Sequence, residues 1–464
     1  MPMPVVNRKT GAQAAQASAA GHDGQASRPT SLPSSPSVMA RVAGLPYDLL
    51  FNPTHYWALA GLLLVFESLL NVAIIHKVSY TNIDWVAYMQ EVEGFLAGER
   101  DYVNLKGETG PLVYPAGFVY VYSALWHVTS QGTNVRLAQY IFAGLYLVTM
   151  GVVMVVYRRA LPNQGAYSLI PLVLSKRLHS IYTLRLFNDT VAMLPLYICI
   201  LAMSRRRWTL ATVFYSLALS IKMNILLFAP GMALLTYQAL GLRKSIRNAG
   251  IVIAIQVVLA LPFLTTHATS YLCRAFDFGR AFFYKWTVNW RFVDEGTFLS
   301  RRFSRTLLVA HVFLLLVFLV KWCAPFGGVR NVVAQGLART SKTGRKPLPA
   351  EHIVLVMFIC NLIGITCARS LHYQFWSWYA HTVPYLVWLP VRRTTTPVGA
   401  GVGVIVRIIA CVALEYAWNV YPSTNISSGI MLAVHAGMLL KLLLAPPVVV
   451  APTPSRKSEA PKLS

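Results

Sequence analysis

Acid is what this chain has least of. Of 464 residues only 16 are Asp or Glu, against 41 Lys and Arg, and the four charged types together make up 12% of the sequence. Cysteine offers no framework either. Cys199, Cys273, Cys323, Cys360, Cys367 and Cys411 stand singly, mostly in or beside apolar runs and with no CxxC among them, so they read as small hydrophobes buried in a membrane. The 11 histidines show no HExxH or similar ligand spacing. No metal is therefore specified, the loop acids alone being the one ligand set left open, and no cofactor is expected. A formal charge of +25 would suggest nucleic acid in a soluble chain, but no nucleic-acid motif accompanies it and no such partner is expected. The cations lie in short loops and tails between apolar runs, where the positive-inside rule and anionic headgroups account for them.

What the chain has in quantity is hydrophobicity: 56% of residues, and a mean hydropathy of +0.52. That composition, with apolar runs along nearly the whole length, predicts an all-α polytopic membrane protein of about eleven to thirteen spans between residues 56 and 447. Some runs fall short of the ~20 residues a bilayer requires, so two or three are expected to be re-entrant or half-spanning. Residues 1–44, rich in Ala, Ser, Pro, Gly and Gln, predict a disordered cytosolic tail, and 448–464 a second one. The basic region 324–350 predicts a cytosolic linker, as do the clusters Arg205–Arg207 and Arg243, Lys244, Arg247 for their own loops.

Six of the 16 acids, Asp84, Glu91, Glu93, Glu99, Asp101 and Glu108, fall within one stretch after the first span. The loop 76–111 is then expected on the face opposite the basic clusters, the lumenal one. A carboxylate-rich loop beside a membrane is where proton-handling chemistry would sit. Asp84 is the favoured base, because it follows closely on the span and has a short side chain; its competing role is N-cap of the segment beginning at Trp85. Glu91, Glu93 and Glu108 are secondary candidates, at least one of them on a solvated helix face. Residues 265–304 predict a lumenal amphipathic segment in which Trp286 or Trp290 stacks on sugar while Arg291 reaches an anion.

Charge within the spans is costly, about 2.5–3.5 kcal/mol for a central Arg or Lys on insertion scales. Lys176, Arg177, His179 and Arg185 nevertheless fall in one such segment, Lys222 in SIKMN, and Arg369 and His372 in ARSLHYQFWSWY. They outnumber the acids of the spans, which include Glu67, Asp189 and Glu415. An anionic lipid headgroup such as a phosphate is the missing partner that this suggests. Carboxylate loop and basic wall together suit group transfer from a polyprenyl-phosphate donor. Arg369, His372 and Arg291, with Lys222 and Arg185 behind them and Tyr373 and Trp290 lining, form the expected donor end. A transporter would also carry buried charges, but its acids should lie within helices and not in one loop; a non-catalytic scaffold could keep the fold, and is told from an enzyme by tolerating loss of Asp84.

The blocks YTNIDWVAYMQEVEGFLAGERDYVNLKGETGPLVYPAGFVY, LRLFND, SIKMNILLFAPG, WTVNWRF, RSLHYQFWSWY and WNVYPST occur in this order. From about residue 45 to 445 the chain closely resembles the dolichyl-phosphate-mannose-dependent α-1,3-mannosyltransferases of the N-glycan precursor pathway. The resemblance implies a GT-C fold in the endoplasmic reticulum membrane and an inverting transfer, with the carboxylate of the first lumenal loop mapping onto Asp84. It also implies the lipids: mannose from dolichyl-phosphate-mannose is added to Man5GlcNAc2-diphosphate-dolichol, giving the Man6 product. Inversion needs a single carboxylate base, which agrees with the reading of the residues. The sequon at Asn188 lies in a functional-looking motif and is expected to stay unused, while that at Asn425 is left open.

Overall fold

Backbone amides in hydrocarbon can bond only to one another, so the apolar runs of this chain fold as helices. The computed structural model describes residues 38–279, 283–338, 347–389 and 397–448, which are mostly helical apart from one small hairpin. Helix α1 (Val38–Phe51) begins within the stretch expected to be tail. Residues 1–37 and 449–464, the rest of the two expected tails, lie outside the described residues.

After α2 (Tyr56–Lys77) the acidic loop folds into α3 (Trp85–Leu96), a hairpin of β1 (Lys106–Gly107) and β2 (Gly110–Pro111), and α4 (Ala116–Val128). Helix α5 (Val135–Ala160) leads to a broken run of α6 (Ile170–Val173), α7 (Lys176–His179) and a π-helical turn over Ser180–Leu184. Then come α8 (Asn188–Ser204), α9 (Trp208–Ile221), α10 (Ala229–Leu240), α11 (Leu242–Ala275), the short α12 (Glu295–Leu299) and α13 (Arg301–Cys323). The last part holds α14 (Gly328–Leu337), α15 (Ala350–Thr366), α16 (Val383–Trp388), α17 (Pro397–Asn419) and α18 (Asn425–Leu444).

Contacts between turns sort the bundle into two ends. At one, Thr81 bonds Leu184, the His76 ring meets the Tyr140 hydroxyl, Asn289 bonds Ala368 and Arg291 bonds Ser428. At the other, Arg159 bonds Ser204, Tyr237 bonds Val333 and Lys321 reaches Leu443. The first end carries the acidic loop; the second carries Arg205–Arg207, Arg243, Lys244 and Arg247.

Seven helices among the described residues are long and apolar enough to cross a membrane, or eight if Lys176–Leu184 and Asn188–Ser204, bent by 109° at their junction, form one span. This is fewer than the expected eleven to thirteen because further crossings of the bundle use pieces that are short or irregular: α8, α9, α15 and the runs 166–184 and 373–388. Two such pieces lie deepest. Helix α15 is buried from His352 to Ile365, and α8 packs against α5, α9 and α15, so both are apolar all round.

Two expected segments differ from their description. Residues 265–304 are not a single amphipathic helix: α11 runs to Ala275, a 3-10 turn spans Tyr284–Trp286, and α13 begins at Arg301, with 280–282 outside the described residues. The expected linker at 324–350 includes the helix α14, which packs on α13, while 339–346 lie outside the described residues. Gly327 and Gly328, at φ +86° and +87°, turn the chain from the 3-10 turn Ala324–Phe326 into α14.

Two glycines let the acidic loop close. A Cβ on Gly107 would stand 2.5 Å from the backbone of Ala87, so the hairpin lies directly on α3. A Cβ on Gly117 would stand 2.0 Å from the Ser220 hydroxyl, so α4 meets the end of α9 without a side chain between them.

Candidate active site

Asp84 occupies the N-cap position of α3, as its competing reading required, but its side chain makes no capping hydrogen bond. Its carboxylate, half-buried, lies 3.2 Å from the Tyr88 hydroxyl one helical turn on. That hydroxyl is also 3.2 Å from Asn188 Oδ1 at the start of α8. Asn188 Oδ1 accepts from Lys222 Nζ at 2.8 Å, and Lys222 pairs with Asp189 at 2.7 Å. Asp189 also accepts from the Trp378 indole. A connected polar chain thus runs from the acidic loop into the bundle, through residues that are themselves buried.

Aromatic rings wall this chain. Tyr88 contacts Tyr114, Phe118 and Tyr122. Burial pushes the Tyr88 phenol well above its usual pKa, with Tyr114 and Asp84 adding to it, and burial then Asp84 does the same for Tyr114. Both phenols stay neutral donors at physiological pH. Lys222 Nζ lies 5.2 Å from the Tyr114 ring centroid and 5.8 Å from that of Phe375. Phe375 stacks on both His372 and Trp378. His372 is therefore brought to the same wall as Lys222.

The other carboxylates separate by exposure. Glu91 is buried and acts electrostatically on Tyr102 and Tyr114. Glu93 is exposed on the solvated face of α3. Glu108, in the hairpin turn, is exposed and accepts from Asn82 at 3.1 Å.

A second group of charges surrounds Tyr373. The Arg177 guanidinium lies 4.9 Å from its ring centroid, Arg291 acts electrostatically on its phenol, and Arg185 is close enough to Arg177 for the two charges to repel. Among the described residues neither Arg177 nor Arg185 forms an ion pair, and the Nε atom of each is buried without a hydrogen-bond partner. A buried guanidinium left this way costs free energy unless an anion completes it. Two intramembrane acids fix the short helix α7, and Glu415 also acts electrostatically on Arg177. Glu415 of α17 accepts from Ser175 Oγ at 2.8 Å and from the Arg177 backbone amide at 3.1 Å, while Glu67 of α2 pairs with His179 at 2.6 Å.

Lys222 is thus a paired cation and His179 is bonded to Glu67, contrary to the reading of the spans as holding an unpaired positive excess; Arg177 and Arg185 form no ion pair among the described residues. Arg369 donates from its Nη2 to the Leu299 carbonyl at 2.9 Å, and its Nε, like those of Arg177 and Arg185, is buried without a partner among the described residues. Arg291 donates to the Tyr284 carbonyl at 2.7 Å and lies 4.1 Å from that ring's centroid. Trp290, at φ +60°, is anchored through its indole to the Ala368 carbonyl and packs edge-on to Phe292 and Phe303. Trp286 is exposed, stacked on Tyr421, with Lys285 Nζ 4.9 Å from its ring centroid. Among the described residues no group of three or more His, Cys, Asp or Glu is placed to hold a metal. Asn188 is buried, which leaves its sequon no access to a glycosylating enzyme.

Fold and site together define a polytopic helical membrane protein whose one carboxylate loop is joined by a polar chain to buried cations. Residues 61–428 match the ALG3 protein family, and the chain belongs to it. It is 44% identical to a human Dol-P-Man:Man(5)GlcNAc(2)-PP-Dol alpha-1,3-mannosyltransferase, over 86% of this chain and 89% of that one. Proteins of the same name from Arabidopsis thaliana and Cryptococcus neoformans are each 42% identical, over 94% and 98% of the two chains in the first case and 91% and 96% in the second. Among solved structures it is similar to ArnT from Cupriavidus metallidurans bound to undecaprenyl phosphate, at 14% identity and a TM-score of 0.36, over 84% of this chain and 77% of that one. That structural likeness is loose.

Proposed function

We propose that this chain transfers mannose from dolichyl-phosphate-mannose, in α-1,3 linkage and with inversion, to Man5GlcNAc2-diphosphate-dolichol, through a GT-C fold in the endoplasmic reticulum membrane. The relatives named above support the reaction, and the observation that supports a phosphate site in this chain is the pair of buried Nε atoms of Arg177 and Arg185, neither with a hydrogen-bond partner among the described residues. Asp84 takes the proton from the acceptor's 3-hydroxyl as that oxygen attacks C1 of the donor mannose. The bond from C1 to the phosphate oxygen breaks, and the phosphate leaves toward Arg177, Arg185 and Arg291 around Tyr373, with His372 at the same wall. The leaving group then needs no proton and one carboxylate suffices. Trp286, exposed beside Tyr421, is the indole that would meet the sugar.

The end with the acidic loop is lumenal, because the opposite end holds Arg205–Arg207, Arg243, Lys244 and Arg247 and so faces the cytosol. A glycosylation sequon introduced at residues 97–104 should be used in microsomes and one at 205–207 should not; the reverse pattern would overturn this orientation. The reaction itself is tested with purified protein, dolichyl-phosphate-mannose and the Man5 lipid. Formation of a Man6 lipid sensitive to an α-1,3-mannosidase supports it, and absence of product from folded protein contradicts it.

A further inference from the structure

From Thr190 to Phe276 the chain contains no acidic residue at all. At the basic end of that stretch, far along the bundle from Asp84, α9, α10 and α11 enclose a groove of about 490 Å3. Its walls are Leu219, Leu226, Met232, Ile246, Val252 and Ile253, and the outward flank is apolar, with Ile246 and Ile253 both strongly exposed. Three polar residues of this lining are buried: the Thr212 and Thr236 hydroxyls donate to carbonyls one turn back in their own helices, whereas Asn248 Nδ2 has no hydrogen-bond partner among the described residues. An amide donor held in that way is costly unless a ligand oxygen meets it.

Charge complementarity says what kind of ligand. Helices α9 and α11 both begin at the mouth of the groove, following Arg207 and Gly241; neither has a side-chain cap or an acid in its first turn. Two adjacent helix N-termini present unbonded N–H groups and positive dipole ends. Arg243, Lys244 and Arg247 stand exposed around them, and Arg247 ties the mouth together by donating to Thr209 Oγ1 at 3.1 Å and to Asn248 Oδ1 at 3.3 Å. The positive-inside rule accounts for cations at this end, but not for a groove or for a buried amide without a partner.

We infer that this groove binds one anionic phospholipid, its phosphate at the starts of α9 and α11 with Arg243 and Arg247, an ester carbonyl on Asn248 Nδ2, and an acyl chain along Val252 and Ile253. The site is separate from the donor and acceptor sites of the transfer reaction.

The test is native mass spectrometry of the full chain after incubation with an equimolar mixture of phosphatidylserine, phosphatidylcholine and dolichyl phosphate. Wild type should retain one phosphatidylserine about tenfold or more over phosphatidylcholine, since each cation near an anionic headgroup is worth about 1 kcal/mol. Arg243→Gln/Arg247→Gln should remove that preference, and Ile253→Trp, which fills the groove and leaves every charge in place, should remove it too. Both variants should keep wild-type mannosyl transfer, so their result is independent of the reaction proposed above. Equal retention of the two phospholipids by wild type would overturn the site, as would a preference for dolichyl phosphate. A preference that survives Ile253→Trp would mean that only a charged surface is present, and would also overturn it.

Discussion

Lys222→Met is the substitution whose outcome the geometry fixes most closely. In the wild-type chain Lys222 pairs with Asp189 at 2.7 Å, and the Asp189 side chain is completely buried. Removing one partner of a buried ion pair leaves an uncompensated charge and typically costs about 3–5 kcal/mol. That is a large part of the roughly 5–15 kcal/mol by which ordinary domains are stable, so the single variant should unfold many degrees lower in detergent, and part of it should be lost on expression. Adding Asp189→Leu removes the orphaned charge. The double variant should regain most of the stability, short of the ~1 kcal/mol that the Trp378 indole loses with its acceptor. It should not regain transfer, because Asn188 no longer has the Lys222 donor that fixes its oxygen on Tyr88 and thus on Asp84. Thermal unfolding followed by tryptophan fluorescence, with the transfer assay on the same preparations, measures both. A single variant as stable as wild type, or a double variant no more stable than the single, would refute the reasoning.

Other outcomes follow from the same structure. Arg177→Ala should lower transfer roughly 10–100-fold, the value of a charge-assisted hydrogen bond of about 1.5–3 kcal/mol, and more than Arg369→Ala, whose guanidinium is already engaged by the Leu299 carbonyl. Both should exceed Arg205→Ala, which touches headgroups; equal effects in purified protein would contradict the placement. Tyr88 and Tyr114 have phenols raised above the ordinary value of 10, so the stability they contribute is complete below about pH 10 and declines as pH rises beyond it. Tyr88→Phe should therefore flatten the loss of thermal stability above pH 10 and leave its pH dependence between about 6 and 9 unchanged. Titration of every tyrosine near pH 10 in folded protein, read at 295 nm, would contradict that.

Much of this organisation could be read from the sequence because its causes are local. Apolar length marks the crossings, and the gathering of six acids marks the loop at one membrane face. The resemblance carried the family, and the match of residues 61–428 agrees with it. What escaped the sequence depends on partners far apart in the chain. Lys222 finds Asp189 across 32 intervening positions, and nothing in SIKMN says that it forms an ion pair while Arg177 does not. Tyr88 could have been found, since a tyrosine four residues after Asp84 on a helix must lie above it. Trp378 and Tyr373 sit on a 3-10 turn, whose spacing obscures which side chains share a face. Trp290 resembled a sugar platform by residue type, and only its left-handed backbone and its bond to Ala368 show it to be an anchor.

The base at Asp84 is the centre of the account, and one comparison tests it most directly. Purified wild type, Asp84→Asn, Glu93→Gln and Glu108→Gln, each shown to be folded by its unfolding midpoint, are given dolichyl-phosphate-mannose and the Man5 lipid at saturating concentration. Transfer should fall by at least about a hundredfold in Asp84→Asn, in the 10²–10⁴ range that a positioned general base contributes. It should remain within about threefold of wild type in the two variants of exposed acids. Undiminished product from Asp84→Asn, or a collapse in Glu93→Gln or Glu108→Gln, would contradict the account and move the base elsewhere in the loop.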